Sequence, residues 1–497
     1  MIKATPQKEY IRYTSLPKEE SAIYNFNRSQ KLVLLTIFAL FLFGLVLNWH
    51  QTLLFLIASL TILYFCDLFF NLTLIMRSFI KPPEIVIDQT EIAGLQEVKL
   101  PLYTIFCPMY KEWEVLPQFV TAISRLDYPK DKLQVLLLLE ENDQKTIGAA
   151  QRYQLPNYFE IIIVPHSLPK TKPKALNFGL QLAKGQYAVI YDAEDIPETD
   201  QLKKAVLAFE RVEEKTICIQ AKLNYYNPHQ NLLTRLFTAE YSLWFDLILV
   251  GLQSIHAPIP LGGTSNHFRL QYLRQLGGWD PFNVTEDCDL GIRLAKKGFH
   301  TAMMDSTTFE EANSKSLNWL RQRSRWIKGY IQTYFVHMRQ PKKFFHSWRN
   351  PDLWTFQLVV GGKILSIFIN PLMWLTTFSY FLLRPTIGPL IESFYPAPIM
   401  YLGVFCLTLG NFLYLYYYMI GCAKRESFDL IKYVFFVPFY WLGMSLAGWK
   451  ALYEIVSRPH YWAKTIHGFH LDNQKAATQA VNIVGQQLVD QNIAITS

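Results

Sequence analysis

Cysteine is sparse and never paired along the chain. Cys66, Cys107, Cys218, Cys288, Cys406 and Cys422 stand singly, with no C-x-x-C pair. This excludes a zinc knuckle and a close-spaced disulfide framework, and it fits a reduced compartment. There is no run of basic residues and no nucleic-acid motif, so nucleic acid is not expected as a partner. The formal charge of +8 reads instead as topology, because Lys and Arg gather on the cytoplasmic side of membrane proteins. No internal repeat or low-complexity tract is present. A removable signal peptide is not expected either. The first apolar run begins only near Leu32, after a polar, basic leader without a small-residue cleavage site, and a second apolar run follows at once.

Charged residues make up only 18% of the 497 residues, and they are unevenly placed. Apolar residues crowd into 32–76 and 354–450, while 81–350 reads as a soluble domain. Residues 32–48 contain 17 consecutive residues without charge, about 26 Å as a helix, just enough to span hydrocarbon. Residues 52–76 form a second span interrupted only by Asp67. The short link Asn48 to Gln51 makes the two a hairpin. Lys3, Lys8, Arg12, Lys18, Arg28 and Lys31 precede it, and Arg77 and Lys81 follow it, so both flanks are expected in the cytoplasm. Three apolar blocks lie near 355–383, 396–420 and 431–450. Three full spans would put the tail, with Arg458, Lys464 and His467, outside. Either 355–383 or 431–450 is therefore expected to be interfacial or re-entrant. The expected division is a leader (1–30), a membrane hairpin (31–76), a cytoplasmic domain (81–350), C-terminal membrane helices (351–456) and a cytoplasmic tail (457–497).

Within 98–300, short apolar runs at Tyr103–Cys107, Val135–Leu139, Ile161–Val164, Ala188–Tyr191 and Ile217–Ala221 alternate with helical patterns such as 172–184 and 199–212. Strands alternating with helices predict an α/β fold, a mainly parallel sheet covered on both faces, with ligands at the carboxyl ends of the strands. The polar residues follow those ends: Pro108–Glu112, Glu140–Asp143 and Asp192–Asp195.

Asp192-Ala193-Glu194-Asp195 places three carboxylates within four residues. They repel one another unless a cation such as Mg²⁺ or Mn²⁺ neutralises them. A solvated turn capping the next helix is the plainer reading. Thr285-Glu286-Asp287 opens a helical stretch, where a carboxylate is often only a cap. In Gln322-Arg323-Ser324-Arg325-Trp326, the i, i+3, i+4 spacing puts Gln322, Arg325 and Trp326 on one helical face. Arg pairs with a diphosphate and an indole stacks on a sugar, although a helix at a membrane interface carries the same residues.

Together, in this order, these motifs resemble the membrane-embedded family 2 glycosyltransferases: cellulose, chitin and hyaluronan synthases and related bacterial polysaccharide or glycolipid synthases. The resemblance covers 101–330 and implies a GT-A fold set between N- and C-terminal transmembrane helices. It implies that Tyr110 and Glu112 line the base pocket, with Lys111 where the family has Asn. Glu140-Glu141 stands for an Asp pair at the nucleotide. Lys172, or next Lys174, becomes the phosphate-side lysine. Asp192 and Glu194 become the metal pair, and Asp192 and Arg325 face the donor. Gly263 and Thr264, in Gly262-Gly263-Thr264-Ser265, lie near the acceptor with Glu286, Gln322 and Trp326, and Asp287 is the catalytic base. Trp462-Ala463-Lys464-Thr465 is similar to a gating-loop pattern.

The implied reaction is inverting transfer from a nucleoside-diphosphate sugar, with UDP expected, to a growing polysaccharide whose β-linked product is exported. Single transfer to a membrane glycolipid is the alternative. An inactive sugar-binding transporter or receptor is the rival from another class, and the intact carboxylates oppose it. Expected partners are the donor, a saccharide or lipid acceptor, membrane lipid, and accessory export or regulatory subunits. The protein is expected in the inner or plasma membrane as a multi-pass protein with its catalytic domain in the cytoplasm. Aromatic residues Trp354, Trp374, Tyr380 and Trp441 are candidates to line a product channel.

Overall fold

The computed structural model describes residues 2–3, 16–80, 82–341 and 350–462. Most of the leader's first half and the tail beyond 462 lie outside the described residues, as do Ala463, Lys464 and Thr465. Among the described residues, nine strands form one sheet: β1 (Ile2–Lys3), β2 (Tyr103–Met109), β3 (Leu133–Glu140), β4 (Phe159–Val164), β5 (Tyr187–Ile190), β6 (Ile196–Pro197), β7 (Thr216–Tyr225), β8 (Asn266–Arg269) and β9 (His300–Glu310). Their order is β1-β4-β3-β2-β5-β8-β7-β9-β6. Strands β1, β4, β3, β2 and β5 pair in parallel. Strand β8 runs antiparallel between β5 and β7, β9 rejoins β7 in parallel, and β6 is antiparallel to β9.

The sheet is two-sided because its central strands are apolar without alternation. All eight residues of β3 are buried. Leu136 and Leu138 join Phe106 and Ile190 in one core, while Val135, Leu137 and Leu139 join Ile105, Cys107 and Val189 in another. Side chains alternate across a strand, so an unbroken apolar run serves two cores at once. This is the α/β architecture of GT-A type, a mixed, mainly parallel sheet with helices on both faces.

The sequence pattern does not reveal β8 and β9, for a physical reason. Several of their buried side chains are polar and bond to one another or to close neighbours. Ser265 and Thr308 hydroxyls lie 2.6 Å apart, and the Gln201 amide donates to Ser306 and Thr308 at 3.1 Å. Tyr103 and His267 lie 2.7 Å apart, and burial pushes His267 down to about 3, so it stays neutral. A reading that follows apolar runs passes over strands satisfied in this way.

Eight helices bear on the site: α1 (Arg28–Ile80), α2 (Lys172–Leu182), α3 (Leu232–Leu243), α4 (Glu286–Lys296), α5 (Ser316–His337), α6 (Lys363–Leu382), α7 (Asn411–Lys424) and α8 (Val437–Ser457). Asn48 has non-helical backbone angles and breaks α1. A side chain at Gly44 would meet Thr52 Oγ1 at 2.8 Å, a pair that a straight helix keeps about 12 Å apart. α1 is thus a hairpin. His50 at its tip stacks on Phe394 with ring centroids 4.9 Å apart. At its base, a Cβ on Gly251 would lie 2.4 Å from the Leu74 carbonyl, so the absence of a side chain lets the helix touch the domain. The leader is fastened too, with Ser21 Oγ donating to Asp280 at 2.9 Å.

Among the described residues, four helices are long and apolar enough to cross a membrane: Arg28–Ile80, Pro351–Leu382, Ala397–Lys424 and Phe428–Ser457. The last differs in its packing. Its α8 portion runs beside α5, with Tyr440 against Trp319 (rings 5.0 Å apart), Ala447, Ala451 and Ile455 on Ile327 and Ile331, and Glu454 paired with Lys328 at 3.2 Å. Phe439, Leu442, Leu446, Trp449, Tyr453 and Val456 are exposed along the opposite face, at helical spacing.

Where the apolar helices meet the domain, buried charges close the joint. Lys222 on β7 pairs with Glu84 (2.6 Å), Asp246 (3.2 Å) and Asp305 (2.7 Å). Arg425 meets Asp246 at 2.5 Å, and Lys424 meets Glu84 at 3.2 Å. Removing one partner of a buried network leaves charge uncompensated. Lys222→Met is therefore expected to destabilise the protein by about 3–5 kcal/mol, read as a large fall in melting temperature in detergent. An unchanged melting temperature would show the network to be dispensable.

Candidate active site

The parallel strands bring their carboxyl ends to one edge of the sheet. There β2 delivers Tyr110 and Glu112, β3 Glu140, β5 the Asp192–Asp195 turn, and β9 Glu310 and Glu311. Two adjoining cavities open at this edge. The smaller, about 170 Å³, is lined by Tyr110, Glu112, Glu140, Lys172, Asp192 and Glu194, with Arg325 and Trp462 at its rim. The larger, about 420 Å³, shares Lys172, Asp192, Glu194, Arg325 and Trp462 and adds Gly263, Glu286, Asp287, Gln322 and Trp326. Residues from four separate sequence motifs therefore face one space.

Local structure sets each side chain. Lys111 takes a left-handed backbone (φ 56), and its amide donates to Asp143 Oδ2 at 2.5 Å. That turn presents Tyr110 and Glu112. In the acidic turn, Asp195 folds inward: its Oδ2 accepts the Asp192 amide at 2.7 Å and the Thr264 hydroxyl. Asp192 and Glu194 remain at the cavity wall. Lys172 opens α2 and places its Nζ 2.5 Å from Asp192 Oδ1 and 2.7 Å from the Gly263 carbonyl. Burial alone would lower Lys172, but Asp192 and Glu286 hold it above the usual lysine range.

Asp287 sits in the first turn of α4, with Oδ1 accepting the Cys288 amide at 2.7 Å and Oδ2 3.3 Å from where a Cβ on Gly263 would stand. Burial raises its pKa, opposed by that amide, Lys172 and Arg325. Burial, with Asp287 beside it, pushes Glu286 up to about 8. α5 approaches α4 closely because Gly329 has no side chain; a Cβ there would lie 2.3 Å from Thr285 Oγ1. On α5, Arg323 forks onto Glu240 of α3 and sits 4.8 Å from the Trp326 ring centre. This holds the indole at the cavity. Arg325 faces the carboxylates and lies 4.5 Å from the ring centre of Trp462. Gln322 Oε1 is buried without a hydrogen-bond partner, an acceptor left open at the cavity wall.

The structure corrects several assignments. Thr264 is fully buried and bonds Asp195 and the Ile190 carbonyl, so it braces the acidic turn and does not face the acceptor space. Lys174 is engaged by Glu140 at 2.6 Å, whereas Lys172 lines both cavities. Of the proposed channel aromatics, Trp441 lines the large cavity; Trp354, Trp374 and Tyr380 lie outside its lining. The sequence reading missed Glu310, which ends β9, and Glu311, which follows it; both line the same cavity. Their signal was an acidic pair at a strand end, hidden because β9 itself went unseen.

The donor set fits a divalent cation. Burial, with Asp192 beside it, pushes Glu194 up to about 8, so a cation between the two carboxylates would relieve their repulsion. Among the described residues no three His, Cys, Asp or Glu side chains form a complete cage. The two carboxylates would hold one face of an ion and leave the rest to phosphate oxygens and water.

Residues 187–420 match the model of Glycosyl transferase family group 2, and residues 104–269 that of Glycosyl transferase family 2. The chain is 25% identical to the probable glycosyltransferase YdaM of Bacillus subtilis over 59% of its length and 76% of that protein. It is 28% identical to the beta-monoglucosyldiacylglycerol synthase of a Nostoc species, over 50% of this chain and 52% of the synthase. The mannosyltransferase PcManGT from Pyrobaculum calidifontis, in complex with GDP-Man and Mn²⁺, aligns at 18% identity over 80% of this chain and 99% of its own, with a TM-score of 0.48. Residues 104–269 and 187–420 are thus similar to glycosyl transferase family 2 domains.

Proposed function

We propose that this glycosyltransferase moves one sugar from a nucleoside-diphosphate donor, UDP being the expected nucleotide, to a hydroxyl of a diacylglycerol-type membrane lipid, with inversion. The observation that carries the acceptor is the shape of the large cavity. It runs from Asp287 to Tyr64, Asp67 and Asn71 of α1 and Tyr414 of α7, so the acceptor space ends among apolar helices. The likeness to a synthase named for a glucosylated diacylglycerol supports the same reading. A polymer channel is less well supported, because three of its four candidate aromatics lie outside the cavity.

The smaller cavity takes the nucleotide, with Tyr110 and Glu112 at the base and Lys172 and Arg325 at the diphosphate. Asp192 and Glu194 would hold Mg²⁺ or Mn²⁺, which supplies charge neutralisation at the leaving diphosphate when bound. Asp287 accepts the proton of the acceptor hydroxyl as its oxygen attacks the anomeric carbon. The bond to the diphosphate breaks on the opposite face, and Lys172 and Arg325 stabilise the charge that develops there. Attack from one face on an α-linked donor gives a β product. Trp326 and Gln322 hold the sugar, the first by its face and the second by a hydroxyl.

The same reading assigns topology. The α1 hairpin and the pair 351–382 and 397–424 cross the bilayer, while α8 lies at the interface with its apolar stripe toward lipid. The spans then number four, and the positive flanks place the catalytic domain in the cytoplasm. On this reading 431–450 is the interfacial block, and 355–383 is a span.

The test is a panel of labelled nucleotide sugars given to purified protein in nanodiscs containing dioleoylglycerol, with Mg²⁺ or Mn²⁺. One donor should carry label into the organic phase. Label confined to water with every donor would refute the lipid acceptor.

A further inference from the structure

Two ionisable residues at the membrane end of the large cavity have no part in the chemistry above. Asp67 of α1 and Lys363 of α6 both line it, with Asn71, Asn370 and Tyr414. Asp67 Oδ2 accepts from the Tyr414 hydroxyl at 2.5 Å. A Cβ on Gly362 would stand 3.5 Å from Asp67 Oδ1, so the glycine keeps the space beside that oxygen open. Lys363 Nζ lies 3.2 Å from the centre of the Trp244 ring. Among the described residues, Lys363 and Asp67 form no ion pair with each other.

Charged side chains in apolar helices are costly, and those present usually face a cavity and serve a function. If this acid and base served only to stabilise the helices, they would pair with each other. Here they share one cavity wall and interact across it without a direct ion pair. Asp67 lies 16 residues beyond Gln51 at the hairpin tip, or about 24 Å along the helix. That is near the far boundary of a hydrocarbon core about 30 Å thick, the depth at which a lipid carries its headgroup.

We propose that Asp67, Lys363, Asn71 and Tyr414 form a headgroup site for an uncharged, hydroxyl-bearing lipid, the acceptor itself. The proposal rests on the lipid-acceptor reading. Lys363 donates to an ester oxygen of the glycerol, Asp67 holds the Tyr414 hydroxyl at the same wall, and the one free hydroxyl of the diglyceride points along the cavity toward Asp287. The opposite charges of Asp67 and Lys363 favour an uncharged headgroup. A phosphate would meet Asp67 at this wall and the carboxylates Glu286, Asp287, Glu310 and Glu311 beyond it.

The test uses Asp67→Asn and Lys363→Met in full-length protein, with dioleoylglycerol in phosphatidylcholine nanodiscs. Each variant should raise the KM for diglyceride at least tenfold more than the KM for donor. Tyr414→Phe, a milder change that keeps the ring, should raise it in the same direction. Native mass spectrometry gives a readout independent of turnover, since wild type should retain dioleoylglycerol that Asp67→Asn loses. Equal diglyceride retention by the two, or an unchanged KM ratio in all three variants, would overturn the headgroup site while leaving lipid glycosylation standing. Wild type that glycosylates no lipid would instead overturn the reading on which the site rests.

Discussion

Asp287→Asn is expected to lower the rate of sugar transfer by roughly a hundredfold or more while leaving donor binding in place. Asn keeps the shape of Asp and can still accept the Cys288 amide, so the first turn of α4 should hold. What is lost is the oxygen that takes the acceptor proton. Burial keeps Asp287 above the ordinary carboxylate range while Lys172 and Arg325 pull it back. The carboxylate is thereby a stronger base than one in water. The measurement is kcat beside the dissociation constant for the nucleoside diphosphate. Near-normal turnover would move the base elsewhere, with Glu286 the nearest candidate in the same turn.

The second large effect concerns the cation. Excess chelator should reduce transfer by roughly a thousandfold, since charge neutralisation at a leaving group is worth several kcal/mol. Added Mg²⁺ or Mn²⁺ should restore it. Asp192→Asn should show the same loss without restoration. Asp192 is also the carboxylate that Lys172 contacts at 2.5 Å, so this variant should weaken donor binding as well, unlike Asp287→Asn. Asp195→Asn should act differently again. Asp195 braces the turn through the Asp192 amide and Thr264, so its loss should appear as instability before it appears as altered metal affinity. Full activity in chelator would remove Asp192 and Glu194 from the metal assignment.

The apolar strands were legible in the sequence because burial on both faces leaves long apolar runs, such as the one within β3 (Leu133–Glu140). The hairpin was legible because its link is short and its flanks are basic. What the sequence hides is polar burial. Ser265, Thr308, His267 and Gln201 satisfy one another inside the domain, and from sequence they look like loop residues. Strand β9 was lost for that reason, and Glu310 and Glu311 with it. The role of Thr264 was misjudged on similar grounds, since a hydroxyl beside two glycines suggests a ligand contact until its partners are seen. Residues 437–457 are apolar enough to cross a membrane, and their packing along α5 is not legible in the sequence.

The central claim is a single transfer to lipid in a cavity that joins the carboxylates to the membrane helices. The most direct measurement is the mass of the product made by purified protein in nanodiscs with dioleoylglycerol, divalent metal and abundant accepted donor. The account predicts dioleoylglycerol heavier by one sugar residue, with a β linkage. A long water-soluble glycan that grows while the diglyceride stays unmodified would contradict it.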